Sequence, residues 1–343
     1  MDFQLDDDQR ALRDGVRDLL ERRFPRTRLR TVVDGHGDTA PLDRALWREL
    51  GTAGFFALRL PEAAGGVGLG LPEAVLAMEE AGRALLPGPL VATQLAAGLG
   101  LAHAAANAVE GAAEGAAVVA ALDLGPGADR LVEHLASADA VLVLSGEDAE
   151  VLPAAALADP ARPIRSVDPA TPLHRVHPTF QAFEAFEAGA GAGAVGAAAR
   201  LRREATLLTA AQQLGSASRT VRMAVDHATA RTQFGRPIGA FQAVQHLCAR
   251  MLVRTESARS VVYAAAVTEE ASDIAAAKLL ADEAAVHNAR DCLQVHGGMG
   301  FTWEADVHLH LKRAWVRAGQ WQTAAAAEEE LAAELLLTGE TGL

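Results

Sequence analysis

Apolar residues recur at spacings of three and four through three long stretches of the second half of the chain. Leu207, Ala211, Leu214, Ser218, Val221, Val225 and Ala228 form one stripe, and Val244, Cys248, Met251, Thr255, Ala258, Val262 and Ala265 form a second. Ile274, Ala277, Leu280 and Ala284 form a third. Each pattern predicts a helix of three or more turns that buries one face. Between the first two lies R-T-Q-F-G-R-P-I-G-A-F-Q-A-V-Q, Arg231 to Gln245, where Gly235, Pro237 and Gly239 break the period and predict a corner, not a strand. After the third comes Q-V-H-G-G-M-G-F-T-W-E, Gln294 to Glu304. Its glycines at 297, 298 and 300 are expected to end the helix through a left-handed C′ residue.

The first half follows a different rhythm. Residues 5–24 begin with Asp6 to Asp8 and continue with Leu12, Val16, Leu19 and Leu20, a first helix whose acids complement its dipole. Leu42 to Gly54 and Glu73 to Leu86 predict two more, joined by a Gly-rich loop from Pro61 to Gly70. From Ala116 to His177 the pattern changes to short β-rich runs: Ala117 to Leu122, Ala140 to Leu144 and Pro163 to Val167. Residues 188–199 are an Ala/Gly stretch expected to be a flexible linker, and Thr323 to Leu337 is expected to be a solvated final helix. The predicted organisation is mainly α: a helical domain over 1–115, a small β domain over 116–187 and a helical bundle over 188–343.

Composition narrows the function classes. Half of the 343 residues are apolar and only 4% are aromatic, which favours closely packed helices. A net charge of −13 argues against a nucleic-acid partner. The acidic N-terminus is unlike a secretory signal, and Leu90 to Val109 carries Gln94, His103 and Asn107, unlike a membrane span. A soluble, cytoplasmic protein is expected. The two cysteines, Cys248 and Cys292, read as buried free thiols, and no metal site is expected; His308 and His310, one residue apart, read as surface or interface histidines.

The corner can present Arg231, Gln233, Phe234 and Gln242 from a rigid helix pair: a guanidinium for pyrophosphate, amides and an aromatic face for a base. On these residues alone an ordinary polar turn is the simpler reading. The glycine turn after Gln294, Val295 and His296 adds backbone amides at Gly297 and Gly298 that a phosphate or ribose can approach. Phe301 and Trp303 are expected to be core anchors below that turn, with Glu304 capping the next helix.

In this order and separation, R-x-Q-F-G and Q-x-H-G-G resemble the C-terminal half of acyl-CoA dehydrogenases. The N-terminal segments W-x-x-L-G, P-E-x-x-G-G-x-G-L and E-E-x-G-R-A-L-x-P-x-P (Glu79 to Pro89) are similar to that family's helical domain. The resemblance implies an acyl-CoA dehydrogenase-like fold with an N-terminal helical domain, a middle β domain and a C-terminal four-helix bundle. It implies FAD as cofactor, with Arg231, Gln233, Phe234, Gln242, Gln294, Val295, His296, Gly297 and Gly298 at the ADP half of a flavin held by a neighbouring subunit. The family's T-E-P-x-x-G-S-D and W-x-T-N-type segments, which cover the flavin ring, are missing, and the β domain is shortened.

The catalytic base is also missing from its usual place. Most members carry a Glu in a Y-E-G-T segment; here the stretch is W-V-R-A-G-Q-W-Q-T, Trp315 to Thr323, with Gln320 and Gln322 and no acid. Other members place the Glu on the helix before R-x-Q-F-G, where the equivalent position is Ala205. Its neighbour Glu204 follows Arg200, Arg202 and Arg203, a pattern expected of a solvated face, and one residue turns a helical side chain by about 100°. Glu204 is therefore a weak catalytic candidate. The chain resembles the short subunit of heteromeric α2β2 acyl-CoA dehydrogenases of steroid side-chain degradation. That resemblance implies a longer partner subunit carrying the Glu, an acyl-CoA substrate and an acceptor of the electron-transfer-flavoprotein type, with no nucleic acid and no membrane. The alternatives are a self-sufficient homo-oligomeric dehydrogenase using Glu204, a non-catalytic assembly protein, and a flavin oxidase or monooxygenase of the same fold.

Overall fold

The computed structural model describes residues 4–35, 42–99, 111–125, 130–177, 192–194 and 196–340. Its helices are α1 (Asp7–Arg23), α2 (Arg26–Gly35), α3 (Arg44–Thr52), α4 (Leu71–Arg83), α5 (Leu90–Ala97), α6 (Ala198–Ala230), α7 (Gln242–Thr268), α8 (Ala271–His296), α9 (Val307–Ala318) and α10 (Ala324–Glu340). Strands are β1 (Val119–Asp123), β2 (Leu131–Glu133), β3 (Ala140–Ser145), β4 (Asp148–Pro153), β5 (Ala161–Ile164), β6 (Leu173–Val176), β7 (Ala192–Ala194), β8 (Thr232–Gln233) and β9 (Arg236–Pro237). Packing divides the chain into two compact units: Met1–Glu21, Val75–Leu86 and Thr206–Leu343 in one, and Arg22–Ala74 and Pro87–Ala205 in the other.

The first unit is helical. α8 packs on α7, α9 and α10, and the stripe residues Met251, Thr255, Ala258, Val262, Ile274, Ala277 and Ala284 are all buried, as their spacing predicts. Its core is alanine-rich, and Ala275, Ala277, Ala281, Ala285 and Ala289 expose nothing, so helix backbones lie close together. The buried polar groups at the centre of this core pair with one another. Lys278, fully buried, pairs with Asp282, and the Gln213 amide donates to Asp282 Oδ1 (2.9 Å) and to the Ala314 carbonyl (3.0 Å). Burial lowers the Lys278 pKa and raises that of Asp282, each opposed by the other's charge.

The E-E-x-G-R segment of α4 finds its physical reason here. A Cβ on Gly82 would lie 1.9 Å from the Gln212 carbonyl oxygen, and one on Gly215 would lie 1.8 Å from that of Glu79. Glycine at both positions lets α4 and α6 cross backbone against backbone. Glu79, buried beside this crossing, accepts from the Tyr263 hydroxyl (2.7 Å) and pairs with Arg259. Glu80, also buried, accepts from Arg17 through both nitrogens (2.9 and 2.6 Å). Arg83 reaches Glu21 (3.1 Å).

The second unit holds α2, α3, α5 and the β elements β1 to β7. One sheet has the order β1-β3-β4-β7, with β1 parallel to β3 and the other pairs antiparallel; the second has the order β2-β6-β5, all antiparallel. Between them Leu122, Val132, Val141, Val143, Leu152, Leu157 and Val176 form an apolar core. Two expectations need correction. The predicted linker is partly regular: Ala192–Ala194 pairs with β4 and Ala198 already begins α6, while 188–191 and 195 lie outside the described residues. Pro163 to Val167 contributes only the end of a strand that starts at Ala161. Of the apolar run Leu90 to Val109, Leu90–Ala97 is a buried helix, and 100–110 lie outside the described residues. Among the described residues no helix is long and apolar enough to cross a membrane.

Candidate functional site

The corner after α6 is built by its own backbone. The Arg231 amide donates to the His227 carbonyl (2.8 Å), continuing the last turn, and the Arg231 carbonyl accepts from Ile238 N (2.8 Å). Between them β8 and β9 pair Thr232 with Pro237 and Gln233 with Arg236. The two central residues, Phe234 (φ 53°) and Gly235 (φ 78°), both take positive φ, as a type I′ hairpin turn requires. The break thus contains a minimal antiparallel ladder where a simple corner was expected. Phe234 projects outward, 91% exposed, with its ring edge-on to Phe241 at 6.1 Å, and the Arg236 guanidinium lies 4.3 Å over the Phe241 ring. Arg231 and Gln242 are exposed, and among the described residues no ion pair engages Arg231. The Gln233 amide folds back to donate to the Thr232 carbonyl (2.9 Å).

The second motif lies at the end of α8. Gly297 caps the helix by donating to the Gln294 carbonyl, with φ 60° and ψ −143°, a region open to glycine but different from the left-handed helical geometry expected there. Added Cβ atoms at Gly297 and Gly298 would meet nothing within 4 Å, so this backbone faces open space. Gln294 is exposed; the Val295 side chain is buried, leaving only its backbone for a ligand. His296 Nδ1 lies 2.8 Å from the Cys292 carbonyl, so in the neutral ring Nδ1 carries the proton and Nε2 is the acceptor. The His296 ring stacks on His227 with centroids 4.1 Å apart and planes 22° apart. His227 is one turn before Arg231. The two sequence motifs therefore meet through a histidine pair.

Several residues near this surface differ from their predicted roles. Phe301 and Trp303 are 75% and 45% exposed; both sit on the surface, because the short turn Gly297–Phe301 keeps them out of the bundle. His310 is buried and its Nδ1 is 2.8 Å from the Ser216 hydroxyl, while His308 stacks half-buried against Trp303. The residue at the N-cap of α9 is Asp306, not Glu304. Val225, placed on the first apolar stripe, is exposed at the last turns of α6. Cys292 is buried and Cys248 half-buried, both as free thiols, and no cluster of metal-binding side chains is found among the described residues.

Glu204 is not on a solvated face. It is 5% exposed and accepts from Arg59 Nη1 and Arg200 Nη1, each at 2.7 Å. Burial by itself raises a carboxyl pKa, but the hydrogen bonds and charges of Arg59 and Arg200 outweigh it and hold Glu204 below the usual range. A general base for α-proton removal needs the opposite shift. The sequence pattern of three nearby arginines carried the charge correctly. The burial was hidden because its other partner, Arg59, is 145 residues away.

The donor set fits the ADP half of a dinucleotide. A guanidinium without an acid suits pyrophosphate, the exposed amides of Gln242 and Gln294 suit ribose or adenine, and Phe234 offers a face for stacking. All four of these residues are exposed. Neither His227 nor its stack was singled out from sequence; its place four residues before Arg231 on the same helical face was the available signal.

Known proteins support the likeness along the chain. The description "Acyl-CoA dehydrogenase, N-terminal domain" matches residues 6–110, and "Acyl-CoA dehydrogenase, C-terminal domain" matches 188–320. The chain is 34% identical to the acyl-CoA dehydrogenase IpdE2 of Mycobacterium tuberculosis, covering 79% of this chain and 80% of that one. It is 32% identical to IpdE2 of Mycolicibacterium smegmatis over 90% and 93% of the respective chains. Among solved structures, the Tcur3481–Tcur3483 steroid ACAD superposes with a TM-score of 0.80 at 24% identity, over 98% of this chain and 99% of that one.

Proposed function

This chain belongs to the acyl-CoA dehydrogenase family, and from that premise we propose that it is the flavin-contacting, base-lacking subunit of a heteromeric acyl-CoA dehydrogenase. The cofactor of the family is FAD, which when bound accepts the β-hydrogen of the acyl chain as hydride while a carboxylate base removes the α-proton. In this reading Arg231, Gln242, Gln294, Phe234 and the backbone at Val295, His296, Gly297 and Gly298 hold the ADP half of an FAD whose ring lies in the partner. Gln233 contributes through the hairpin it closes. A longer partner subunit supplies the glutamate, and an electron-transfer-flavoprotein-type protein takes up the electrons. The substrate class we assign is the CoA thioester of a steroid side chain.

The observation that carries this reading is the surface itself: two motifs 50 to 70 residues apart in the chain are joined by the His227–His296 stack and expose a set of hydrogen-bond donors and an Arg231 unpaired among the described residues. The absence of a base agrees with it. Trp315 to Thr323 contains no acid, and Glu204 is clamped as a carboxylate by two guanidiniums. The steroid assignment is supported by the likeness in fold to the Tcur3481–Tcur3483 steroid ACAD, and the two-chain assembly by that structure and by the ChsE4–ChsE5 complex of M. tuberculosis.

The test is the visible spectrum and mass of the purified chain, alone and co-expressed with a longer acyl-CoA dehydrogenase subunit. A colourless protein alone and a yellow complex with one FAD per heterodimer are expected. A yellow homo-oligomer whose flavin is bleached by an acyl-CoA would overturn the split-site reading.

A further inference from the structure

The glycine turn ends α8 and the arginine corner ends α6, so a ligand that touches both needs the two helix ends held at a fixed spacing. The apolar cluster beneath them, including Ala224, Ala228, Cys292, Leu293, Val295 and Leu311, supplies general packing. Above it, the direct link between the two motifs is the stack of His227 on His296. The His296 ring cannot turn freely, because Nδ1 is held by the Cys292 carbonyl at 2.8 Å and the ring face is covered at 4.1 Å. We infer that His227 is a positioning residue of the cofactor surface: its ring ties the glycine turn to the arginine corner, and it takes up a proton when a pyrophosphate arrives beside Arg231. This rests on the proposed FAD reading of the same surface.

The charge around the pair has a consistent sign. Burial, then the facing ring of His296, then Arg231 one turn along α6 all oppose a proton on His227, so its pKa lies below the ordinary 6.5. From α8, the Cys292 thiol lies 3.7 Å from His296 Nδ1, and burial pushes it up to about 12, leaving it uncharged near neutrality. From α7, burial also raises the half-buried Cys248, and Arg254 is neutralised by Asp291 of α8. α9 contributes apolar Val307 and Leu311, and Asp226, next to His227 on α6, is engaged by Arg222. No acid faces the rings among these groups. A dianionic pyrophosphate would offset Arg231 and favour protonated His227, and linkage makes the effect reciprocal: protonation tightens anion binding. Because the bound-state pKa is raised above the free-state one, the extra affinity is present at low pH and fades as pH rises through the bound-state value.

The test uses the flavin-bearing assembly and measures FAD dissociation between about pH 5.5 and 8, a span chosen around the ordinary histidine range. His227→Ala should weaken FAD about tenfold, in line with losing a stacked ring contact and the geometry it fixes. His227→Phe, which keeps a ring and removes the titration, should restore affinity at pH 8 and flatten the rise seen on acidification. Arg231→Ala serves as the separate control on the site itself. Loosening by Arg231→Ala with no effect of His227→Ala would overturn the positioning role while sparing the FAD reading; no effect of Arg231→Ala would overturn that reading. A wild-type pH profile in His227→Phe would overturn the proton linkage. If a variant fails to assemble, imidazole NMR of the unmodified assembly decides: the His227 titration should lie higher with FAD bound than after FAD is stripped, and an equal titration in the two forms refutes the inference.

Discussion

The two ends of α6 handle charge in opposite ways. Near its start, Glu204 is buried and held by Arg59 and Arg200, and Arg202 forks onto Asp123 at 2.9 and 3.0 Å. Just past its end, Arg231 stands exposed, and no acid engages it among the described residues. At the first end these charges are neutralised within the chain, and the arrangement serves folding. At the second a cation, several amides and an aromatic ring are left for something outside the chain. The same residue type thus reads as structural or functional according to whether its partner is already present, a distinction invisible in composition.

The contrast can be tested at three points along this helix. The largest effect is expected at its middle, where Gly215→Ala drives a Cβ to 1.8 Å from the Glu79 carbonyl oxygen. Overpacking against backbone costs about 3 kcal/mol or more, which exceeds the gain of about 1 kcal/mol from alanine's helix propensity. Urea denaturation should show a net loss of about 2–3 kcal/mol, and a neutral result would mean the crossing is looser than described. Next is Arg231→Ala, which should leave the urea midpoint within about 0.5 kcal/mol of the parent while raising flavin loss from the assembly about ten- to a hundredfold. A destabilised chain with flavin retained would reverse the roles of the two ends.

The smallest effect is expected for Glu204→Gln. Its partner Arg200 is half exposed and solvent screens the pair, so we expect a stability loss of about 1–2 kcal/mol at neutral pH. The folded carboxyl titrates below the ordinary 4.5, so its contribution is present above that value and is lost as pH falls through the folded one. Parent and variant should therefore converge in acid. Turnover of the assembly should stay within about twofold of the parent, and a loss of several orders of magnitude with flavin intact would make Glu204 the base.

The helices of the bundle were legible because their apolar stripes are local and long; Met251, Thr255, Ala258 and Val262 are buried as their spacing predicts. The ordered pair of motifs was legible for the same reason, as each is contiguous. What escaped is what depends on distant partners. Glu204 looked solvated because Arg59 is far away in the chain, and His310 looked superficial because its partner Ser216 is 94 residues off. The Ala/Gly run read as a linker because strand pairing of Ala192–Ala194 is written in the backbone of β4, with no side-chain signal of its own. Phe301 and Trp303 misled in the other direction, since large apolar residues are ordinarily core and here lie outside.

The hairpin at Phe234 bears on kinetics. A non-glycine residue at φ 53° is held there by the ladder on either side and by Gly235 after it, so the ring is aimed outward before any encounter. The entropy of ordering this tip is lost once, during folding, and not again at each association. A molecule docking here meets a finished surface, so its on-rate should be set by diffusion and orientation, with loop rearrangement contributing no delay. Differences in affinity among variants of this corner should accordingly appear in how long the complex lasts.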